Sequence, residues 1–193
     1  MAKQIKVLFH GFGRIGRSIF RQIATDKKFS IVGINEINPD PKNISYTYNF
    51  DSIVRSDLKK YGQIKYENKK FKLKNKLFNY YNISQVERLV KISNKYDVII
   101  DSTGVGNNGS QWKKLIKIKK NIKIIFTFHH PISEFLMVIG ANEKKYNKKF
   151  KLISSSICDV VAIAPYLKLL DEKFKIVSGH ITTVHPILSY QNL

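Results

Sequence analysis

The stretch Ile5-Lys6-Val7-Leu8-Phe9-His10-Gly11-Phe12-Gly13-Arg14-Ile15-Gly16 decides the fold. Residues 5–9 read as a first strand. Ile15, Ile19, Phe20 and Ile23 then recur at helical spacing, which predicts a helix over residues 14–24. Three glycines lie at the junction. Gly11 permits the tight turn, Gly13 lets the backbone approach a pyrophosphate, and Gly16 lets helix and strand pack closely. Free amides near Arg14 and Ile15 would meet phosphate oxygens at the positive end of the helix dipole.

The context strengthens this reading. Residues 30–35 form a second strand, and Glu36 ends it 20 residues after Gly16. A carboxylate there accepts hydrogen bonds from the adenosine ribose and repels a 2′-phosphate, so NAD is expected as cofactor rather than NADP. A short helix is expected over residues 44–50 and one or two antiparallel hairpins over 64–80. Ser84-Gln85-Val86-Glu87 reads as a capping box opening a helix to about Ser93. Strands over 98–102 and 122–128 flank a basic helix over 111–118, and 135–139 adds a further strand. The fold class is α/β: a Rossmann-type, doubly wound, mostly parallel sheet in residues 1–150, followed by a shorter unit in 151–193. In that unit a strand at 152–154, a helix over 158–170 and a strand over 176–184 are expected, too little chain for an independent core.

Composition limits the function classes. The 193 residues are 43% hydrophobic and 12% aromatic, which is globular rather than disordered. The longest apolar run, near residues 160–170, is broken by Pro165 and Lys168 and falls short of a bilayer span. The start lacks the pattern of a secretory signal. One cysteine cannot form an internal disulfide, and a reducing cytoplasm is expected. The net charge of +20 comes mostly from lysines scattered between apolar positions. Arginine, the residue suited to bidentate phosphate and base contacts, is scarce. Dedicated nucleic-acid binding is not expected, whereas nonspecific polyanion binding at low salt is.

Cys158 is the one thiol. It stands at the predicted start of a helix, where peptide dipoles favour a thiolate. His185 ends the predicted strand returning from that helix, so the two could meet across a helix–strand hairpin. Asp159 acts against this, because a neighbouring carboxylate disfavours the thiolate. The spacing of the remaining histidines, His129, His130 and His180, points to no metal site.

Taken in order, these segments resemble one family. HGFGRIGR, at 10–17, resembles the N-G-F-G-R-I-G-R opening of the glyceraldehyde-3-phosphate dehydrogenases. Asn35-Glu36 stands where an Asn-Asp pair meets the adenosine, and DSTGV at 101–105 resembles E-S-T-G-V. SSSICDVVAIAP at 154–165 resembles S-N-A-S-C-T-T-N-C-L-A-P, and TTVH at 182–185 matches the segment of the catalytic histidine. The resemblance implies that Cys158 attacks a small-molecule aldehyde with His185 as general base. Hydride would pass to NAD and phosphate would cleave the resulting thioester. It further implies that the Cys158 amide stabilises the oxyanion and that Thr103, Gly104 and Thr127 line the cofactor groove. A homo-oligomer is implied for the full-length enzyme, with no membrane association.

Five positions depart from the family pattern. Ile157 and Asp159 replace the serine and threonine that flank the cysteine and help hold phosphate. Leu188 replaces a substrate-phosphate threonine, Tyr81 an arginine beside the adenine, and His10 the asparagine before the first glycine. The resemblance stops at Leu193, inside the catalytic domain, so the chain is expected to be a fragment or truncated product. Sheet edges and apolar faces would then be uncovered near its end. Two alternatives stay open: a non-catalytic NAD-binding module and a basic nucleic-acid-binding protein.

Overall fold

Strand β1 (Ile5–His10) is apolar toward both of its faces, which places it at the centre of a sheet covered on both sides. Val7 and Phe9 enter one core and Leu8 the other. The computed structural model describes residues 3–52 and 58–185. Leu188 and Leu193, singled out in the sequence, lie outside them.

Around β1 the sheet has the order β3-β4-β5-β2-β1-β6-β7-β9-β8. Strands β2 (Phe29–Asn35), β6 (Val98–Asp101), β7 (Lys123–Phe126), β8 (Phe135–Leu136) and β9 (Leu152–Ser154) run parallel to their neighbours. Strands β3 (Ile64–Glu67), β4 (Lys70–Leu73) and β5 (Lys76–Tyr81) form antiparallel hairpins, and β5 joins β2 in parallel. The chain winds one way from β1 to β2 and the other way from β1 to β6. This is the topological switch point at which α/β sheets bind ligands. The α/β class and the mostly parallel doubly wound sheet are therefore as expected. Strand β9, assigned from sequence to the second unit, hydrogen-bonds to β7 and belongs to this sheet.

Helices α1 (Arg14–Ile23) and α2 (Pro41–Asn49) close the first face, and α4 (Gly109–Ile118) with a 3₁₀ helix (Val86–Lys95) the second. A short α3 (Leu58–Tyr61) precedes the hairpins. Helix α2 starts three residues before the expected segment, because Asp40 caps the Lys42 amide and Pro41 occupies the first turn.

Four expectations need correction. The Ser84 capping box is not made: Gln85 is the N-cap residue, the Gln111 side-chain Oε1 accepts from the Val86 amide, and Glu87 pairs with Lys114. The segment it opens is a 3₁₀ rather than an α-helix. Strand β8 has two residues instead of five, since the chain turns away after Leu136. The strand expected over 176–184 is absent. Residues 176–185 have no regular structure and no described ladder partner, and a strand exists only where a neighbour supplies one. Helix α5 (Cys158–Phe174) is longer than expected, carries Pro165 in its interior and has no buried residue.

A buried ion pair fastens α1 to the end of α2. Asp51 Oδ2 accepts from Arg17 Nε at 2.8 Å and from Arg21 Nη1 at 3.2 Å. Arg21 also donates to the Tyr48 carbonyl at 2.6 Å and lies over the Tyr48 ring. Removing one partner leaves a buried charge uncompensated, so Asp51→Ala should cost about 3–5 kcal/mol, read as a lower urea midpoint at unchanged slope.

Candidate dinucleotide site

The turn from β1 to α1 fixes the site, and two of its glycines are dictated by the protein itself. At Gly11 φ is +81°, and an added Cβ would stand 2.8 Å from the Thr103 amide nitrogen. At Gly16 a Cβ would run into Ser102 Oγ and stand 3.0 Å from Gly11 O. Gly13 is different: among the described residues nothing lies within 4 Å of its Cβ position, so the packing there leaves open space. It is also the N-cap residue of α1, with no side-chain cap, so the first helical amides of exposed Arg14 and Ile15 face outward. This open cradle at a positive helix end fits a pyrophosphate.

Three side chains brace the turn. Glu36 Oε2 accepts from the Phe12 amide at 2.7 Å, while Oε1 accepts from the amides of Ile37 at 2.9 Å and Asn38 at 3.3 Å. A carboxylate has about four acceptor positions, so one on Oε2 remains for a ribose hydroxyl. Ser102 Oγ donates to Gly11 O at 2.8 Å, and Arg17 Nη1 donates to Phe12 O at 3.1 Å.

Behind the turn, Asn35 Nδ2 donates to the buried His10 ring at Nδ1 (2.7 Å) and to the Ile83 carbonyl at 2.9 Å. Its Oδ1 accepts the Ile83 amide. His10 is therefore the neutral ring whose Nδ1 accepts, and burial lowers its pKa to about 4. Across the β1–β6 ladder His10 is the partner of Asp101. Asp101 Oδ1 accepts the amide and hydroxyl of Thr103, at 2.9 and 2.7 Å, and burial raises its pKa to about 6 against those donors and the Trp112 indole.

His10, Phe12, Asn35 and Ser102 help to line a cleft of about 370 Å³ at the switch point, within the size range of small-molecule sites. Of the residues singled out in the sequence, Gly11, Gly13, Glu36 and Thr103 line it. Gly16 is buried beneath the turn, Arg14 and Ile15 stand at its rim, and Gly104 follows Thr103 in a turn with φ +76°. Thr127 lies past β7, its amide bonded to the Asp101 carbonyl, and does not line this cleft. Tyr81 packs its ring over the Gly33 backbone rather than into the cleft.

Sequence reading missed Asn108 and Gln111. Asn108 Oδ1 meets buried His130 Nε2 at 3.0 Å, and both residues reach the cleft wall from the start of α4. Their partners stand 22 and 25 residues away, so no local pattern marks them.

Cys158 is exposed at the first position of α5, and Sγ donates to Asp159 Oδ1 at 3.4 Å. His185 is exposed in the irregular stretch after α5. The hairpin expected to carry it toward Cys158 is not formed. Among the described residues no group of three or more His, Cys, Asp or Glu could hold a metal, and no helix is long and apolar enough to cross a membrane.

The buried pair makes opposite demands on pH. His10 binds its proton less well folded than unfolded, so its stabilisation is complete above about 6.5 and is lost as pH falls toward 4. Asp101 binds its proton better when folded, so its contribution is complete below about 3.8 and is lost as pH rises through 6. The two slopes oppose each other over this interval. In urea unfolding, the advantage of wild type over His10→Asn should grow by about 3 kcal/mol between pH 4 and 6.5. A constant difference would refute the assignment.

Comparison with known proteins agrees with this geometry. Residues 5–109 match the family model of the glyceraldehyde 3-phosphate dehydrogenase NAD-binding domain. The chain is 33% identical over 190 residues to a glyceraldehyde-3-phosphate dehydrogenase of Buchnera aphidicola subsp. Schizaphis graminum, covering 98% of this chain and 55% of that protein. It is 32% identical over 189 residues to that of Thermotoga maritima, covering 97% and 54%. For glyceraldehyde-3-phosphate dehydrogenase 3 of Saccharomyces cerevisiae the identity is 28% over 192 residues, covering 97% and 55%. The chain thus spans about half the length of these curated relatives. With a matched model over more than half its residues and a glycine cradle shaped for a pyrophosphate, the chain belongs to the glyceraldehyde 3-phosphate dehydrogenase NAD-binding domain family, and its dinucleotide is NAD.

Proposed function

We propose that this chain carries the nucleotide and nucleophile parts of an NAD-dependent aldehyde dehydrogenase working through a thioester on Cys158. One observation carries the reading. His10, Asp101, Phe126 and Ser154 are aligned in register across β1, β6, β7 and β9. The glycine turn, the Thr103 turn and the segment leading to Cys158 therefore leave the sheet along one carboxyl edge. On this reading residues 1–154 form the nucleotide unit, and the rest begins the catalytic one.

The chemistry asks little of each residue. Cys158 gives its proton to His185, and Sγ bonds to the aldehyde carbon, converting the carbonyl oxygen to an alkoxide. The amide of Cys158 at the start of α5 donates to that oxygen. Bound NAD supplies the hydride acceptor. As the carbon loses its hydrogen with the bonding electrons, the carbonyl re-forms and a thioester remains on Sγ. An acyl acceptor then releases the thiol. His185 reaches Cys158 only when residues 175–185 fold back against α5. A lone exposed thiol suits the reducing cytoplasm, where we place the protein.

Asp159 and Ile157 bear on the last step. A carboxylate hydrogen-bonded to Sγ, with an apolar neighbour on the other side, repels an attacking phosphate where two hydroxyls would hold it. Release of the acyl group should therefore proceed at a rate independent of inorganic phosphate, followed as NADH formation across a phosphate series.

A second reading, a non-catalytic NAD-binding module, is favoured by the Cys158–Asp159 hydrogen bond and by the irregular chain over residues 176–185. Mixing the protein with NAD and glyceraldehyde 3-phosphate separates the two. The enzyme reading expects a burst of NADH stoichiometric with protein that Cys158→Ala abolishes while NAD binding persists. Unchanged turnover in Cys158→Ala would sink it, and no burst with any aldehyde leaves the module.

A further inference from the structure

At the amino end of β2 the sheet splits. Strand β2 pairs with β1 from Phe29 to Asn35, but β5 joins it only over residues 33–35, opposite 79–81. Before residue 79, β5 keeps β4 alone as its ladder partner. The two strands therefore part between residues 29–32 and 76–78. Where they separate a side chain spans them, with Asn79 Nδ2 donating to the Val32 carbonyl at 3.3 Å. The gap is a cavity of about 260 Å³ at the carboxyl end of α1, the opposite end of that helix from the glycine turn.

Its walls are apolar, with one fixed cation. Phe20, Phe29 and Phe78 line it, the first and last with ring centroids 5.3 Å apart. The buried residues Ala24 and Leu73 line it as well. Lys76 reaches it from β5, and Nζ donates to the Ala24 carbonyl at 2.6 Å. That bond caps the end of α1, where a cation is favourable. Capping uses one of the three N–H donors of an ammonium group. Among the described residues the other two meet no acceptor, and none of the described ion pairs includes Lys76. Packing does not account for the space, because an empty apolar gap loses dispersion contacts on every wall. Leu77, the apolar side chain at its rim, stands exposed.

We propose that this cavity binds a small aromatic monocarboxylate, its ring among the phenylalanines and its carboxylate on Lys76. An apolar cavity of about 150 Å³ is enough for benzene. A volume of about 260 Å³ therefore leaves room for one ring and a carboxyl group. Aromatic walls favour a flat ring, which makes edge or offset contacts and has less rotamer freedom to lose than an alkyl chain. One ammonium with two unused donors matches one carboxylate, whereas a dianion would carry an unpaired charge into an apolar site. The Ala24 carbonyl already holds the ammonium in place, so binding has little ordering left to do. The cavity shares no lining residue with the dinucleotide cleft, and its occupancy is independent of the thioester chemistry.

The test titrates the full chain with benzoate and with benzyl alcohol, the same ring without the charge, and follows backbone amide shifts by NMR. Benzoate should bind saturably, with its largest shifts at residues 24, 30–31 and 76–78. Lys76→Met should weaken benzoate about tenfold, as loss of a charge-assisted hydrogen bond does, and leave benzyl alcohol nearly unchanged. Lys76→Arg should restore most of the benzoate affinity. Ala24→Leu, which adds bulk to the wall, should weaken both ligands. Retained NAD binding reports folding in every variant, and Lys113→Met, at an exposed lysine of α4, controls for net charge. Shifts that do not saturate, or that centre elsewhere, would overturn the proposal. Equal losses in Lys76→Met and Lys113→Met would replace it with net charge alone. Competition by NAD would overturn it by placing the ligand in the dinucleotide cleft. Tighter binding of hexanoate than of benzoate would overturn the aromatic class in favour of an aliphatic acid.

Discussion

The hydrogen bond from the Phe12 amide to the Glu36 carboxylate ties the glycine turn to the end of β2. The site depends on this tie. It holds the amide between Gly11 and Gly13 in place while the uncapped start of α1 stays open. The same carboxylate collects the amides of Ile37 and Asn38, so the loop that would meet the adenosine and the loop that would meet the pyrophosphate share one anchor. Ser102 and Arg17 complete the bracing from β6 and α1. Gly11 O, Phe12 N and Phe12 O are thus satisfied from behind, while the amides at the start of α1 face outward.

Beneath that turn the sheet tolerates two titratable groups as partners across the β1–β6 ladder, His10 and Asp101. Burial acts on both, in opposite directions, by penalising whichever form is charged. A neutral imidazole can still accept the Asn35 amide hydrogen, and either form of Asp101 can keep Thr103 in place through Oδ1. The floor of the cleft thus holds its hydrogen-bond pattern across a wide pH range while its stability balance changes.

Legibility in the sequence followed the range of the interactions. Period-2 and period-3.6 patterns identified β1, α1, β2, β6 and α4, because burial on the sheet imposes them locally. Gly11 was legible as the glycine of a tight turn and Gly16 as one needed for close packing, although the residues a Cβ would meet include Ser102 and Thr103, some 90 residues away. The Arg17–Asp51–Arg21 network left no signal, since no local pattern pairs two helices across a loop. Ser84 misled for a related reason. Its capping motif is local, but the Val86 amide is taken by Gln111 from another helix. The stretch 176–184 carries the β-branched residues of a strand, yet a strand is a pairing and not a property of one segment. For the same reason the position of His185 could not be read from its spacing to Cys158.

The contrast between the kept cofactor half and the altered surroundings of Cys158 has a physical basis. Substituting Gly11 or Gly16 would drive a Cβ into backbone or into Ser102, so folding itself protects them. Ile157 and Asp159 sit at the exposed start of a helix with no buried residue, where a side chain can change with little effect on stability. An apolar group and a carboxylate there cost the fold little, and each stands one residue along the backbone from Cys158. The nucleotide site is held in place by packing. The start of α5 is held by no such packing, and Ile157 and Asp159 there are free to depart from the family pattern.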